Sequence, residues 1–169
     1  ISDSRESLIL EMQKYNSIEK RNNEFVLSKS KAEEEIKYLK LNGDKIETYQ
    51  RIYGHLIAND ISKNEEVLKR VYESGHIYNI NDLWKYGISG DKKILCVKLK
   101  NIDDIDLVKD ILKCFEYYQL RKVDIDLCFI NAEEFSYNMF LRDYIINEVR
   151  EVQLEYLINE RIFIIDECR

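Results

Sequence analysis

The stretch Leu83–Lys100, LWKYGISGDKKILCVKLK, decides the fold. Gly87 and Gly90 let the backbone reverse through conformations closed to other residues, and Ile94, Leu95, Cys96, Val97 and Leu99 then form a nearly continuous apolar run. Strict alternation would mark a strand with one wet face, whereas a continuous run marks one covered on both, as parallel strands are. An aromatic helix end therefore runs into a turn, and a parallel strand is expected after Asp91.

The residues downstream extend this pattern. Asn101 to Asp104 offers capping side chains ahead of Ile105, Val108, Ile111, Phe115 and Tyr118, whose spacing makes one apolar helix face, with Lys109, Asp110, Lys113 and Glu116 opposite. After the basic turn at Arg121 and Lys122 comes a second strand-like run, Val123 to Ile130. A longer helical stretch follows, with Phe135, Met139, Ile145, Ile146, Val149 and Val152 as its inner face, and then a third apolar run, Ile162 to Ile165. Residues 81–169 thus read as a small three-layer βαβαβ parallel-sheet module, placing the chain in the α/β class.

Residues 1–80 read as a helical segment. Ser2-Asp3-Ser4 caps a helix running to about Tyr15, with Leu8, Ile9 and Met12 inside it. A second runs from about Ser17 to Leu41, striped by Phe25, Ala32, Ile36 and Leu39 and stopped by Asn42-Gly43. Asp44 caps a third, in which Ile46, Tyr49, Ile52, Tyr53 and Leu56 recur until Asn59-Asp60; a fourth covers Asn64 to Glu73 and ends at Ser74-Gly75. Proline is absent, so Gly, Asn and Asp are the only punctuation. Whether these helices bundle together or pack on a neighbour is left open by the sequence, because amphipathic helices owe most of their stability to whatever covers them.

Composition narrows function. With 169 residues, 45% hydrophobic and 34% charged, the chain can bury a core and stay well solvated. A formal net charge of -6 without a dense basic block disfavours nucleic-acid binding, which needs clustered positive charge to displace counterions. The four cysteines show no metal or disulfide spacing. Cys96 and Cys128 in strands and Cys114 in a helix read as small buried hydrophobes in a reducing compartment, with Cys168 exposed near the end. No apolar run is long enough to span a bilayer and no signal sequence is evident. The opening residue, Ile1, is not an initiator methionine, which suggests a piece of something longer.

Chemistry-bearing patterns are sparse. His55 and His76 both fall in or beside helical segments, so no nucleophile–base pair is suggested, and no catalytic, cofactor or metal residues are assigned. The paired carboxylates Asp103-Asp104 and Glu133-Glu134 stand where helices start, which the helix dipole explains. Gly87-Ile-Ser-Gly90-Asp91 precedes a strand instead of following one, unlike a phosphate-cradling loop, and reads first as a structural turn with Asp91 bonding local amides. A docking or sugar-contact surface made by Trp84, Tyr86, Ser89 and Asp91 is the alternative, since aromatic rings join large apolar area to a polar tip. Any other ligand of a parallel sheet is expected beyond the strand carboxyl ends, near Lys100-Asn101, Asn131 and Asp166.

The strings LWKYGISGD, FEYYQLRKVDIDLCFIN and SYNMFLRDYI together resemble the segment between carbohydrate-active domains in cyclic β-1,2-glucan synthases, a resemblance specific in the GISGD and EYYQLRKVDIDL blocks. Upstream, ISDSRESLILEMQKY is similar to the helical sequence that closes the N-terminal β-sandwich of glycoside hydrolase family 94 proteins, and ETYQRIYGHLIAND to the linker helices that follow. This chain departs from the pattern in Cys114, where a small residue or Ala is usual, and in Phe115, at the position of a His. The resemblance implies a parent that handles β-1,2-linked glucose, by transfer from a nucleotide sugar in a membrane-embedded part and chain-length control in a phosphorylase-like part. The family's catalytic acid lies in a barrel outside this segment. The resemblance therefore implies a non-catalytic inter-domain module, inactive alone, cytoplasmic, with a parent anchored in the inner membrane. Its partners would be the neighbouring β-sandwich and barrel of the same polypeptide and, through the aromatic surface, β-1,2-glucan. The alternative is an independent α/β binding or regulatory module that meets a protein partner or small ligand at the strand carboxyl ends.

Overall fold

The computed structural model describes residues 4–58, 69–70, 72–75, 79–133 and 140–167. The chain divides into two compact units, Ile1–Gly43 and Asp44–Arg169. The expected start of the helix at Asn64, together with His76, Phe135, Met139 and Cys168, lies outside the described residues.

The first unit contains α1 (Arg5–Lys14) and α2 (Ile18–Tyr38). Both starts are capped as the sequence suggests: the Ser4 hydroxyl accepts from the Ser7 amide at 3.2 Å and the Ser17 hydroxyl from the Lys20 amide at 3.1 Å. The expected inner stripe of α2 fails at Phe25, whose side chain is 76% exposed, and Val26 and Leu27 beside it are exposed too. Nor does Asn42-Gly43 stop this helix. Lys40 takes the left-handed conformation at φ 51°, its amide bonding the Lys37 carbonyl while the Leu41 amide reaches back to Ile36. Gly43 instead opens α3 (Gly43–Ala58). Asp44 lies inside the first turn of α3, where its main-chain carbonyl accepts from the Thr48 hydroxyl at 2.8 Å, so it does not cap by side chain as expected.

In the second unit a single helical turn, α4 (Asn81–Trp84), leads to β1 (Lys93–Leu99), α5 (Ile105–Leu120), β2 (Ile125–Asn131), α6 (Phe140–Glu151) and β3 (Ile162–Asp166). Residues 69–70 and 72–73 are helical and end at Gly75, φ 62°, as Ser74-Gly75 suggests. The three strands are parallel, in the order β1-β2-β3. Two like-handed crossovers stepping the same way along a sheet put their helices on one side, and α5 and α6 do touch each other.

The register sorts the strand residues. One face carries the row Leu95, Leu127 and Ile162 together with Leu99 and Phe129. These are buried, as are Val108, Leu112 and Phe115 of α5 and Leu141, Ile145 and Val149 of α6. Full burial of each such side chain contributes about 1.5–3 kcal/mol, which makes this layer the main source of stability. The other face carries the row Cys96, Cys128 and Phe163, and there Ile88 and Leu83 form a thin third layer against Cys128, Phe163, Ile94, Ile130 and Ile165. Coverage on both faces explains why β2 is buried at nearly every position and reads as an unbroken apolar run.

The unit also enlists α3. Tyr118 donates to the Tyr49 main-chain carbonyl at 2.5 Å, Tyr49 donates to the Asp110 carbonyl at 3.2 Å, and the Tyr49–Tyr117 and Tyr53–Tyr118 rings lie 5.7 Å apart. Burial pushes both Tyr49 and Tyr118 well above the ordinary phenol range, so these hydroxyls stay protonated donors. Lys45 pairs with Asp110 at the margin. Two local expectations are corrected. Cys96 is exposed, because β1 lies at an edge of the sheet. The Asp104 carboxylate accepts from the Lys100 and Asn101 amides upstream, at 2.9 and 3.4 Å, and makes no side-chain cap to α5.

Candidate functional site

Trp84, Tyr86, Ser89 and Asp91 are brought together by the way α4 ends. The Gly87 amide bonds the Trp84 carbonyl at 2.9 Å and the Ile88 amide reaches back to Leu83 at 3.2 Å, with Gly87 left-handed at φ 77°. This paired reversal satisfies the last helical carbonyls and is commonly accompanied by an apolar contact between the residue after the glycine and the one five before it. Ile88 and Leu83 supply it, and Ile88, 2% exposed, is the plug on the outer sheet face. Gly90, φ 79°, allows a close crossing: a Cβ there would lie 2.9 Å from Ile80 Cγ1 and 3.2 Å from Leu83 Cδ1. The Gly-Ile-Ser-Gly-Asp string is therefore a helix stop, a plug and a crossing.

That framework holds two aromatic side chains outside. Trp84 is 58% and Tyr86 44% exposed. The indole Nε1–H donates to the Ser89 carbonyl at 3.2 Å, fixing the ring while leaving it accessible. Lys85 sits 5.7 Å from the Tyr86 ring centroid and 3.5 Å from Asp82. The Ser89 hydroxyl donates to the Asp91 carboxylate, and this bond holds that exposed carboxyl below its usual range. Asp91 thus bonds a local backbone amide, its own, as anticipated, and the Ser89 hydroxyl besides.

Beneath this surface, at the amino ends of the strands, lies an ion cluster. Asp126, 2% exposed within apolar β2, accepts from Arg161 Nε at 3.0 Å; the same guanidinium meets the Ile125 carbonyl at 2.5 Å and Asp124 at 2.7 Å, and Lys92 stands 3.8 Å from Asp124. Burial pushes the Asp126 carboxyl up, while Lys92 and Arg161 hold it back. Neither Asp126 nor Arg161 was singled out by the sequence, although a carboxylate inside a strand of that apolarity is itself a signal that a buried cation must exist.

The carboxyl ends of the strands do gather Asn131 and Asp166, with Arg142, which sequence reasoning missed. Asn131 donates to Asp166 at 3.0 Å, and Arg142 bridges Asp166 at 2.8 Å and the Ile164 carbonyl at 3.2 Å. Lys98 pairs with Glu167 at 2.5 Å. These groups satisfy one another and tie α6 to β3. Among the described residues no group of His, Cys, Asp and Glu has a metal-holding arrangement, and no helix is long and apolar enough to cross a membrane. The exposed aromatic pair with its flanking carboxylates suits stacking against an apolar ring face or docking a polypeptide.

No family model matches the chain. Over 133 residues it is 21% identical to the cyclic beta-(1,2)-glucan synthase NdvB of Rhizobium meliloti (strain 1021). The aligned residues are 79% of this chain and 5% of that protein, so the chain spans a small part of the relative it matches. At this level the relation is a distant one.

Proposed function

We propose that this chain is a non-catalytic inter-domain module of a cyclic β-1,2-glucan synthase-like or β-1,2-oligoglucan phosphorylase-like enzyme, positioning the catalytic domains beside it. The observation that carries this reading is the 133-residue likeness to a glucan synthase of which the match occupies 5%. In this reading residues 1–80 are a linker, residues 81–169 the α/β module, and the neighbours are a glycoside hydrolase family 94 β-sandwich and barrel. The module lies in the cytoplasm and the parent is anchored in the inner membrane. Two features are consistent with such a role. Leu8, Leu10 and Met12 of α1 and Phe25, Val26 and Leu27 of α2 offer exposed apolar area for contact with a neighbour. Trp84 and Tyr86 are held outward by a stiff reversal, a suitable place for a glucan strand or a domain edge to rest.

The test has two arms. Purified chain, incubated with β-1,2-gluco-oligosaccharides with and without phosphate, is expected to release neither glucose nor glucose 1-phosphate; turnover that co-purifies with the chain overturns the non-catalytic reading. Titration with linear β-1,2-glucan by calorimetry checks the aromatic surface, with saturable heat abolished by Trp84→Ala as the outcome that places sugar there.

A further inference from the structure

Cys96 and Cys128 are direct partners across the parallel pair β1–β2, on the same sheet face. Adjacent strands lie about 4.7–4.9 Å apart, inside the roughly 4.4–6.8 Å Cα separation that a disulfide accepts. Both thiols are free, Cys96 exposed and Cys128 3% exposed behind it. Their neighbours on that face are Ile94 and Lys98 along β1 and Asp126 and Ile130 along β2. We propose that Cys96 and Cys128 form a redox-active dithiol that closes to a cross-strand disulfide by exchange with a small-molecule disulfide.

The two thiols are unequal in the way such exchange requires. Cys96 is the accessible member of the pair, and a hydrogen bond from Cys128 holds its thiol below the ordinary range, which favours the thiolate there. Cys128, the donor, is pushed up by that same bond and then by burial. Cys114, within α5, is pushed up to about 11 by burial and stays inert. In the first step the Cys96 thiolate attacks one sulfur of the small disulfide; its S–S bond breaks, the leaving sulfur takes the electron pair and then a proton from water, and a mixed disulfide remains on Cys96. Cys96 then no longer carries the charge that raised Cys128. Cys128 gives up its proton and attacks the Cys96 sulfur, expelling the second small thiolate. Two protein thiols have lost two electrons and the small disulfide has become two thiols. The product bond would pin edge strand β1 to β2 on the face sealed by Ile88.

Full-length chain treated with glutathione disulfide, alkylated, digested without reduction and mapped by mass spectrometry is expected to show the Cys96 and Cys128 peptides joined. Cys128→Ser should accumulate glutathione on Cys96 about tenfold over wild type, because the resolving thiol is gone. Cys96→Ser should leave Cys128 unmodified. A stable glutathione adduct on Cys96 of the wild-type chain, or protein disulfides formed only through Cys114 or Cys168, overturns the proposal. The wild-type map decides it even where a variant folds poorly.

Discussion

Gly87 and Gly90 are both left-handed, yet they answer to different constraints. At Gly87 the nearest atom to a new Cβ is Phe163 Cε1 at 3.9 Å, so Gly87→Ala meets backbone strain alone, about 1–2 kcal/mol. At Gly90 the same strain is joined by overlap with Ile80 and Leu83, whose displacement adds about 1–3 kcal/mol. Urea unfolding of the two variants should rank Gly90→Ala as the more damaging, and equal midpoints would remove the close crossing from the account. Arg161 carries a second prediction. Arg161→Met leaves the Asp126 carboxylate buried without its guanidinium, at a cost of about 3–5 kcal/mol near neutral pH. The Asp126 carboxyl is already raised by burial, and losing Arg161 raises it further. An acid whose folded pKa exceeds its unfolded one favours folding as it takes up a proton. The deficit of the variant should therefore be fullest above that raised pKa and shrink as the pH falls toward the ordinary carboxylate range. A deficit independent of pH would indicate lost packing instead of a stranded charge.

At the level of elements, α2, α5 and α6 end by the same paired reversal as α4, but with Lys40, Lys122 and Gln153 in the left-handed position where α4 has a glycine. In α5 the Val123 amide bonds Tyr118 and the Lys122 amide bonds Gln119; in α6 the Leu154 amide bonds Val149 and the Gln153 amide bonds Arg150. A side chain in that conformation costs about 1–2 kcal/mol, partly offset by the entropy a glycine would lose on folding. Lys122→Gly is therefore expected to raise stability by about 0.5–1 kcal/mol, read as a higher urea midpoint at unchanged slope. The same substitutions explain which parts of the chain were legible. Elements showed through because apolar spacing is strong: the three strands and the α5 face of Val108, Ile111, Phe115 and Tyr118 follow directly from it. The ends of α4 at Gly87 and of α5 at Arg121 and Lys122 showed as well, but that of α2 did not, since Lys40 carries no glycine signal and Asn42-Gly43 drew the stop away from it. Within the candidate site the grouping of Trp84, Tyr86, Ser89 and Asp91 was visible because it is local in sequence. Arg161 and Arg142 were not, because they meet Asp126 and Asp166 from 35 and 24 residues away in the chain, pairings that only the fold creates.

For the molecule as a whole, the contacts between elements distant in sequence leave no local signal. The contact of the α3 tyrosines with α5 is one of these, since Tyr49 and Tyr118 stand 69 residues apart. Tyr118→Phe keeps the ring and removes the hydroxyl that meets the Tyr49 carbonyl, leaving a buried acceptor without its donor. A loss of about 1–3 kcal/mol in urea unfolding is expected, and a neutral result would show that water replaces the bond. The strand order has a bearing on biosynthesis. Because β1, β2 and β3 lie side by side in the order in which they are translated, each new strand finds its template already made. The sheet can grow vectorially on the ribosome, one crossover at a time, and no strand must wait exposed for a distant later segment to insert between its neighbours.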